Sequence, residues 1–136
     1  MVRIDIRYEG ELRCTARHAP SGTTLFTDAP ADNHGKAASF SPTDLLATSL
    51  GTCILTTMGI VAQRHGIDLV GASASVEKEM ATSPVRRVGA LTVAIHVPRD
   101  PGPEQRKLLE NAAATCPVHA SLHADVRHPV TFRWGA

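Results

Sequence analysis

Aromatic residues are scarce in this chain, with three Phe, one Tyr and one Trp among 136 residues. Charge of either sign is not in excess: 14 Lys and Arg against 13 Asp and Glu leave a formal net charge of +1. Because these charges are scattered, the sequence carries neither a nucleic-acid footprint nor a polybasic membrane patch. Cysteine is limited to Cys14, Cys53 and Cys116, too few and too far apart for a disulfide scaffold. No apolar run opens the chain. Met1-Val2-Arg3-Ile4-Asp5-Ile6-Arg7 alternates apolar with charged residues, unlike a secretory signal or a membrane span, so a cytoplasmic protein is expected. In that reducing compartment any cysteine bridge is expected to be transient. The phosphate-cradling Gly-x-x-x-x-Gly-Lys-Ser/Thr loop, the dinucleotide-binding Gly-x-Gly-x-x-Gly and the Gly-x-Ser-x-Gly nucleophile elbow are all missing. No cofactor is expected.

What is present has the length of a single domain over residues 1–136, with scope for burial against a twin subunit. Val2 to Tyr8 alternates, Glu9-Gly10-Glu11 signals a turn, and Leu12 to Arg17 alternates again, the pattern of a hairpin. Thr23 to Thr27 is a third β-prone run, and Asp28 to Phe40 lacks any period and is expected as a loop. Ser41-Pro42-Thr43-Asp44 is a strong helix start: a Ser cap, Pro at the first helical position, and a carboxylate three residues after the cap. The helix is expected to reach about His65, with Gly66 ending it in the left-handed conformation. Leu45 to Ala62 carries no charge, which predicts burial around most of its circumference as a central helix. Gly51 and Gly59, with the hydroxylic residues, argue against a membrane span.

Ser73 to Met80 and Val88 to Val97 alternate on either side of Thr82-Ser83-Pro84 and predict paired strands. Pro101-Gly102-Pro103 opens a second helix, Cys116-Pro117 interrupts it and caps a short one through Leu122, and Val126 to Trp134 closes the chain as a strand. Strands, long helix, strands, helices and strand, in that order, predict an α+β fold with antiparallel sheets.

The chemistry gathers at two cysteines. Cys53 sits mid-helix in Ser49-Leu50-Gly51-Thr52-Cys53, where small neighbours admit a second element, although a lone Cys in an apolar helix is ordinarily a small hydrophobe. Cys116 precedes Pro117 and is placed as an N-cap, where free N–H groups favour a thiolate. Cys14 shares a strand face with Leu12 and Ala16 and is expected to fill core space without a redox role. Cys116-Pro117-Val118-His119 has the spacing of two zinc ligands, with His123 beyond, but no second ligand pair exists elsewhere, so no metal is expected.

Taken in order, Ser41-Pro42-Thr43-Asp44-Leu45-Leu46, Gly51-Thr52-Cys53 and Cys116-Pro117-Val118-His119 resemble the motifs of the osmotically inducible protein C and organic hydroperoxide resistance (OsmC/Ohr) family. The resemblance runs over nearly the full chain. It implies an intertwined α+β homodimer with active sites at the interface. It also implies a thiol peroxidase of oxidative stress defence, acting on organic hydroperoxides or hydrogen peroxide. In that scheme Cys53 attacks the hydroperoxide and becomes a sulfenic acid, Cys116 resolves it to a disulfide, and a dithiol reductant resets the pair.

Two departures from the family pattern stand out. Its hydroperoxidases carry a Glu ten residues before the first cysteine, and here that position is Thr43. Asp44 lies next to it, but at about 100° per residue it falls half a turn from Cys53 and suits a capping role better. The activating Arg of the family comes from the N-terminal strand region, where Arg17 is the nearest candidate. Alignment through Asp28 would instead put Pro20 there, and Arg13, Arg86 and Arg87 are further donors. The alternative to a peroxidase is therefore a redox sensor or thiol-ligand-binding protein with little turnover.

Overall fold

The computed structural model describes residues 1–136, which divide into two compact units, Met1–Leu46 and Ala47–Ala136. In the first, β1 (Ile4–Gly10), β2 (Arg13–His18) and β3 (Thr24–Asp28) form an antiparallel sheet in the order β1-β2-β3. The hairpin turn lies slightly later than the sequence signal. Gly10 pairs with Arg13, so Glu11 and Leu12 are the two turn residues, and both take positive φ (54° and 63°). That is the backbone of a type I′ turn, whose twist matches the flanking strands. Pairing of Ile6 with Ala16 and Tyr8 with Cys14 puts Ile4, Ile6, Tyr8, Cys14, Ala16 and Leu25 on one face, while Phe26, paired with Thr15, lies on the other. Ile4, Ile6 and Tyr8 are 56%, 69% and 63% exposed. Cys14 is accordingly half-buried and not the core filler its pattern predicts, and Leu12 lies in the turn, not on the strand.

Residues 29–40 form the expected loop, interrupted by a 3-10 turn at Ala31–Asn33. Asp28, 1% exposed, holds it down. Its Oδ2 accepts from the Ala38 N–H at 3.0 Å and lies 3.6 Å from Arg13 Nε, while its own N–H donates to the Phe40 carbonyl. The Ala38 N–H is the main reason its carboxyl titrates below the usual range; burial opposes this, and Arg13 and the Ala29 and Lys36 N–H groups add to it.

Helix α1 (Pro42–Arg64) begins as its sequence dictates. Ser41 Oγ accepts from the Asp44 N–H (3.1 Å) and Asp44 Oδ2 accepts from the Ser41 N–H (2.9 Å), a reciprocal capping box. At the other end Gly66, with φ 66°, lets Ile67 donate back to the Ala62 carbonyl at 2.9 Å, the bond that closes a Schellman motif.

The second unit carries the remaining strands and helices. β4 (Ser73–Ala81) pairs antiparallel with β5 (Arg87–Val97), as the alternating runs predict. The last strand differs. β6 is confined to Val130–Trp134 and pairs parallel to β5, with only an isolated bridge at Arg127 before it. The reason is the connection: α2 (Pro103–Ala113) and α3 (Pro117–Ser121) intervene between β5 and β6, and a crossover of that kind brings the chain back in the same direction. The sheets are therefore not all antiparallel. Leu91, Val93, Ile95 and Val97 of β5 are buried with Leu109, Ala112 and Ala113 of α2, and Trp134 Nε1 donates to Glu110 Oε1 at 3.2 Å.

Within this unit α1 buries one stripe, Ala47, Leu50, Gly51, Ile54, Met58 and Ala62, the spacing of a single helical face. A Cβ at Gly51 would stand 2.9 Å from Val76 Cγ2, so glycine is what allows the close approach of helix to sheet. Burial around most of the helix is not what the chain shows. Thr48, Thr52, Thr56 and Ile60 are exposed, although by length and composition α1 is apolar enough to cross a membrane.

The cap gives a stability test. Ser41→Ala should lower the unfolding free energy by about 1 kcal/mol, the usual worth of such a cap. It would be read as a lower urea midpoint at unchanged slope; an unaltered midpoint would show that the box adds nothing.

Candidate active site

Two elements of the second unit bring the predicted cysteines together. Cys53 stands at mid-length on α1, half-buried, one residue before Ile54 of the packed stripe. Cys116 is fully buried at the cap of α3. Pro117 occupies the first turn there because its missing N–H would have had no helical partner, and Cys116 Sγ accepts from the His119 N–H at 3.4 Å. All three cysteines are free thiols, and Cys53 and Cys116 lie close enough for each to shift the other's ionisation.

The two sulfurs are not equivalent. Burial raises the Cys53 pKa, but hydrogen bonds from the Cys116 thiol, the Val118 N–H and the Thr57 hydroxyl outweigh it, and the thiol lies below its ordinary value. Cys116 moves the other way. Burial is again the largest influence, and donation to Cys53 and the negative charge there raise it further, while the His119 and Val118 N–H groups pull it down by less. Capping a helix therefore does not make Cys116 the thiolate, contrary to the expectation from its position. Of the two, Cys53 is the thiol held below its ordinary value and Cys116 the one held above it.

Thr57 and Val118 escaped the sequence reading. Thr57 is four residues after Cys53, on the same helical face, a spacing that could have flagged it. Val118 acts through its main chain, which no side-chain pattern reports.

The candidate arginines belong to different surroundings. Arg13 faces the buried Asp28. Arg87 donates from Nε to the Ser83 carbonyl and from Nη1 to the Val88 and Asp125 carbonyls. Arg17 is exposed on β2 and makes no ion pair, its Nη2 lying alongside Gly22. Asp44 forms the capping box described above. The Cys116 to His123 segment does not form a metal cage. The His119 ring faces the His128 ring, His123 lies beside Asp125, and no group of three or more His, Cys, Asp or Glu side chains converges.

A mixed α+β chain with a long helix, two sheets and a thiol pair between helix and cap defines a dithiol protein of the OsmC type. The family model for OsmC-like proteins matches residues 34–130, and the chain belongs to that family. A Psychrobacter arcticus protein, provisionally described as an osmotic stress induced and detoxification response protein, is 44% identical. The alignment covers 98% of this chain and 96% of that one with a TM-score of 0.93. An OsmC-like protein of Mycoplasma pneumoniae, 17% identical, covers 100% and 98% at a TM-score of 0.82. A Legionella pneumophila organic hydroperoxide resistance protein OsmC, 16% identical, covers 97% and 96% at 0.76. At those identities the last two show the fold. No curated protein matches the chain.

The asymmetry of the pair is testable without any substrate. Alkylation of Cys53 by iodoacetamide should accelerate with rising pH, as the thiolate forms, around a midpoint below that of an ordinary thiol. Cys116→Ala removes the donor and should move that midpoint upward, followed by mass spectrometry of the modified peptide. A midpoint indifferent to Cys116 would contradict the hydrogen bond.

Proposed function

We propose that the protein is a thiol-dependent peroxidase that reduces organic hydroperoxides or hydrogen peroxide in the cytoplasm. The observation that carries this reading is the placement of the buried Cys116 sulfur beside Cys53, where each shifts the other's ionisation. It stabilises one thiolate and keeps a second sulfur in contact with it. Membership of the OsmC-like family supports the same reading, as does the organic hydroperoxide resistance ascribed to the Legionella pneumophila relative.

The chemistry then proceeds in three balanced steps. The Cys53 thiolate attacks the terminal oxygen of the hydroperoxide; the O–O bond breaks, the alkoxide leaves and takes a proton, and Cys53 becomes a sulfenic acid. The Cys116 sulfur, having lost its proton, attacks Sγ of Cys53. An S–S bond forms and the hydroxyl departs as water. An external dithiol reduces the disulfide by exchange through a mixed disulfide, returning two thiols and leaving oxidised itself. A guanidinium is suited to hold the thiolate charge, since it stays protonated at any working pH. Arg17 is proposed for that part on the family resemblance alone.

A specific observation favours the second reading, a sensor or thiol-ligand-binding protein with little turnover. Thr43 stands where the hydroperoxidases have Glu, and its hydroxyl lies 3.2 Å from that of the capping Ser41. Peroxide consumption separates the two. The peroxidase reading expects sustained turnover with a dithiol reductant, slower turnover with monothiols, none in Cys53→Ser, and a loss of several-fold or more in Arg17→Ala. Cys14→Ser should stay within a few-fold of the parent. A single stoichiometric oxidation with no turnover would leave the sensor.

The assembly proposed is a homodimer. The uncovered apolar residues Ile4, Ile6 and Tyr8 and the exposed, uncharged face of α1 support it, because a patch of this kind is closed by a second copy in symmetric assemblies. Light scattering at micromolar concentration should give twice the chain mass. A monomer would remove the proposal.

A further inference from the structure

The thiol pair depends on a helix with little to hold it. α3 has five residues and none of them is buried. Its internal bonds, Ala120 N–H to the Cys116 carbonyl and Ser121 Oγ to the Pro117 carbonyl, shape the turn without fixing it to its surroundings. Yet this turn presents the His119 N–H, which donates to Cys116 Sγ at 3.4 Å, and the Val118 N–H, which lowers the pKa of both thiols.

A side chain on the next segment supplies the missing anchor. The rings of His119 and His128 meet edge to face, centroids 4.3 Å apart and planes at 82°, the arrangement in which the positive edge of one aromatic ring meets the π face of another. Both rings are half-buried. His128 is itself oriented, with Nδ1 2.8 Å from the Val126 carbonyl; a carbonyl can only accept, so Nδ1 carries the proton. Val126 donates in turn to the His123 carbonyl (3.0 Å), and Arg127 donates to the Gly89 carbonyl of β5 (3.0 Å). His128 is thereby tied through its own segment to the sheet.

We propose that His128 is a positioning residue for the thiol pair: packed against the His119 ring, it holds α3 so that the Val118 and His119 N–H groups stay on the two sulfurs. The inference rests on Cys53 and Cys116 being the reactive pair. It assigns His128 no contact with substrate. The quantity it controls is the thiolate character of Cys53, which can be measured whether or not the protein turns over peroxide.

The test compares His128→Ala with His128→Phe in the full chain, each checked for native circular dichroism, by the pH dependence of Cys53 alkylation with iodoacetamide. His128→Ala is expected to raise the midpoint and slow alkylation at neutral pH by roughly threefold or more, as loss of half a pKa unit of thiolate stabilisation would give. His128→Phe keeps an aromatic edge against His119 and is expected to retain the parent midpoint. Should His128→Ala fail to fold, His119→Ala gives the same test from the opposite ring, since it leaves the 119 N–H in place. A parent-like midpoint in the alanine variant overturns the proposal. So does an equal shift in both His128 variants, which would trace the effect to the Val126 hydrogen bond instead of the ring contact. Loss of peroxide turnover with an unshifted midpoint counts against His128 alone, whereas a shifted midpoint in a protein without turnover counts against the peroxidase reading alone.

Discussion

The proposed chemistry depends on one constraint, the placement of the buried Cys116 thiol beside the Cys53 sulfur. A sulfur taken out of water resists ionisation, and burial does push both cysteines in that direction. Only donors aimed at the sulfur can reverse the balance. Cys53 has three, and Cys116 spends its proton as one of them. Two like thiols are thus shifted in opposite directions by their surroundings. That arrangement suits the proposed chemistry, in which the Cys116 sulfur captures an oxidised Cys53.

The fold serves that bond from both sides. Cys53 has a fixed position because α1 lies close against the β4–β5 sheet, closer than any residue but glycine at position 51 would permit beside Val76. Its capping box and its Schellman ending set where the helix starts and stops, and so which residues share the face of Cys53. Cys116 has its position because Pro117 starts a new helix one residue later, turning the cap sulfur toward the N–H groups of the first turn. The crossover that contains α2 and α3 returns the chain as β6 beside β5, which ties the cap to the same sheet that carries α1.

Local chemistry made much of this legible in advance. Ser41-Pro42-Thr43-Asp44 can be read as a helix start because each residue acts on its immediate neighbours, and Cys116-Pro117 announces a cap for the same reason. What could not be read involves partners distant in sequence. The pairing direction of β6 follows from the crossover before it and not from its own alternation. The apparent need to bury all of α1 came from composition, yet one subunit covers a single stripe. The raised pKa of Cys116 could not be read because its position at a helix start is local, whereas its half-buried neighbour 63 residues earlier on another helix is not. Thr57 and the Val118 N–H complete the site by spacing and main chain, without a motif of their own. The family resemblance implies the association of the two cysteines; their surroundings shift Cys53 below and Cys116 above the ordinary thiol value.

The central claim is that Cys53 and Cys116 form a reversible redox pair, and peptide mapping after limited oxidation tests it most directly. The protein is treated with one equivalent of hydroperoxide, digested without reductant and analysed by mass spectrometry. The account predicts a disulfide-linked peptide pair containing Cys53 and Cys116 that disappears on addition of a dithiol, with Cys14 unmodified. In the Cys116→Ser variant Cys53 should instead be found as sulfenic acid or its overoxidised forms. A Cys53 that remains a free thiol in folded protein under excess hydroperoxide would contradict the account.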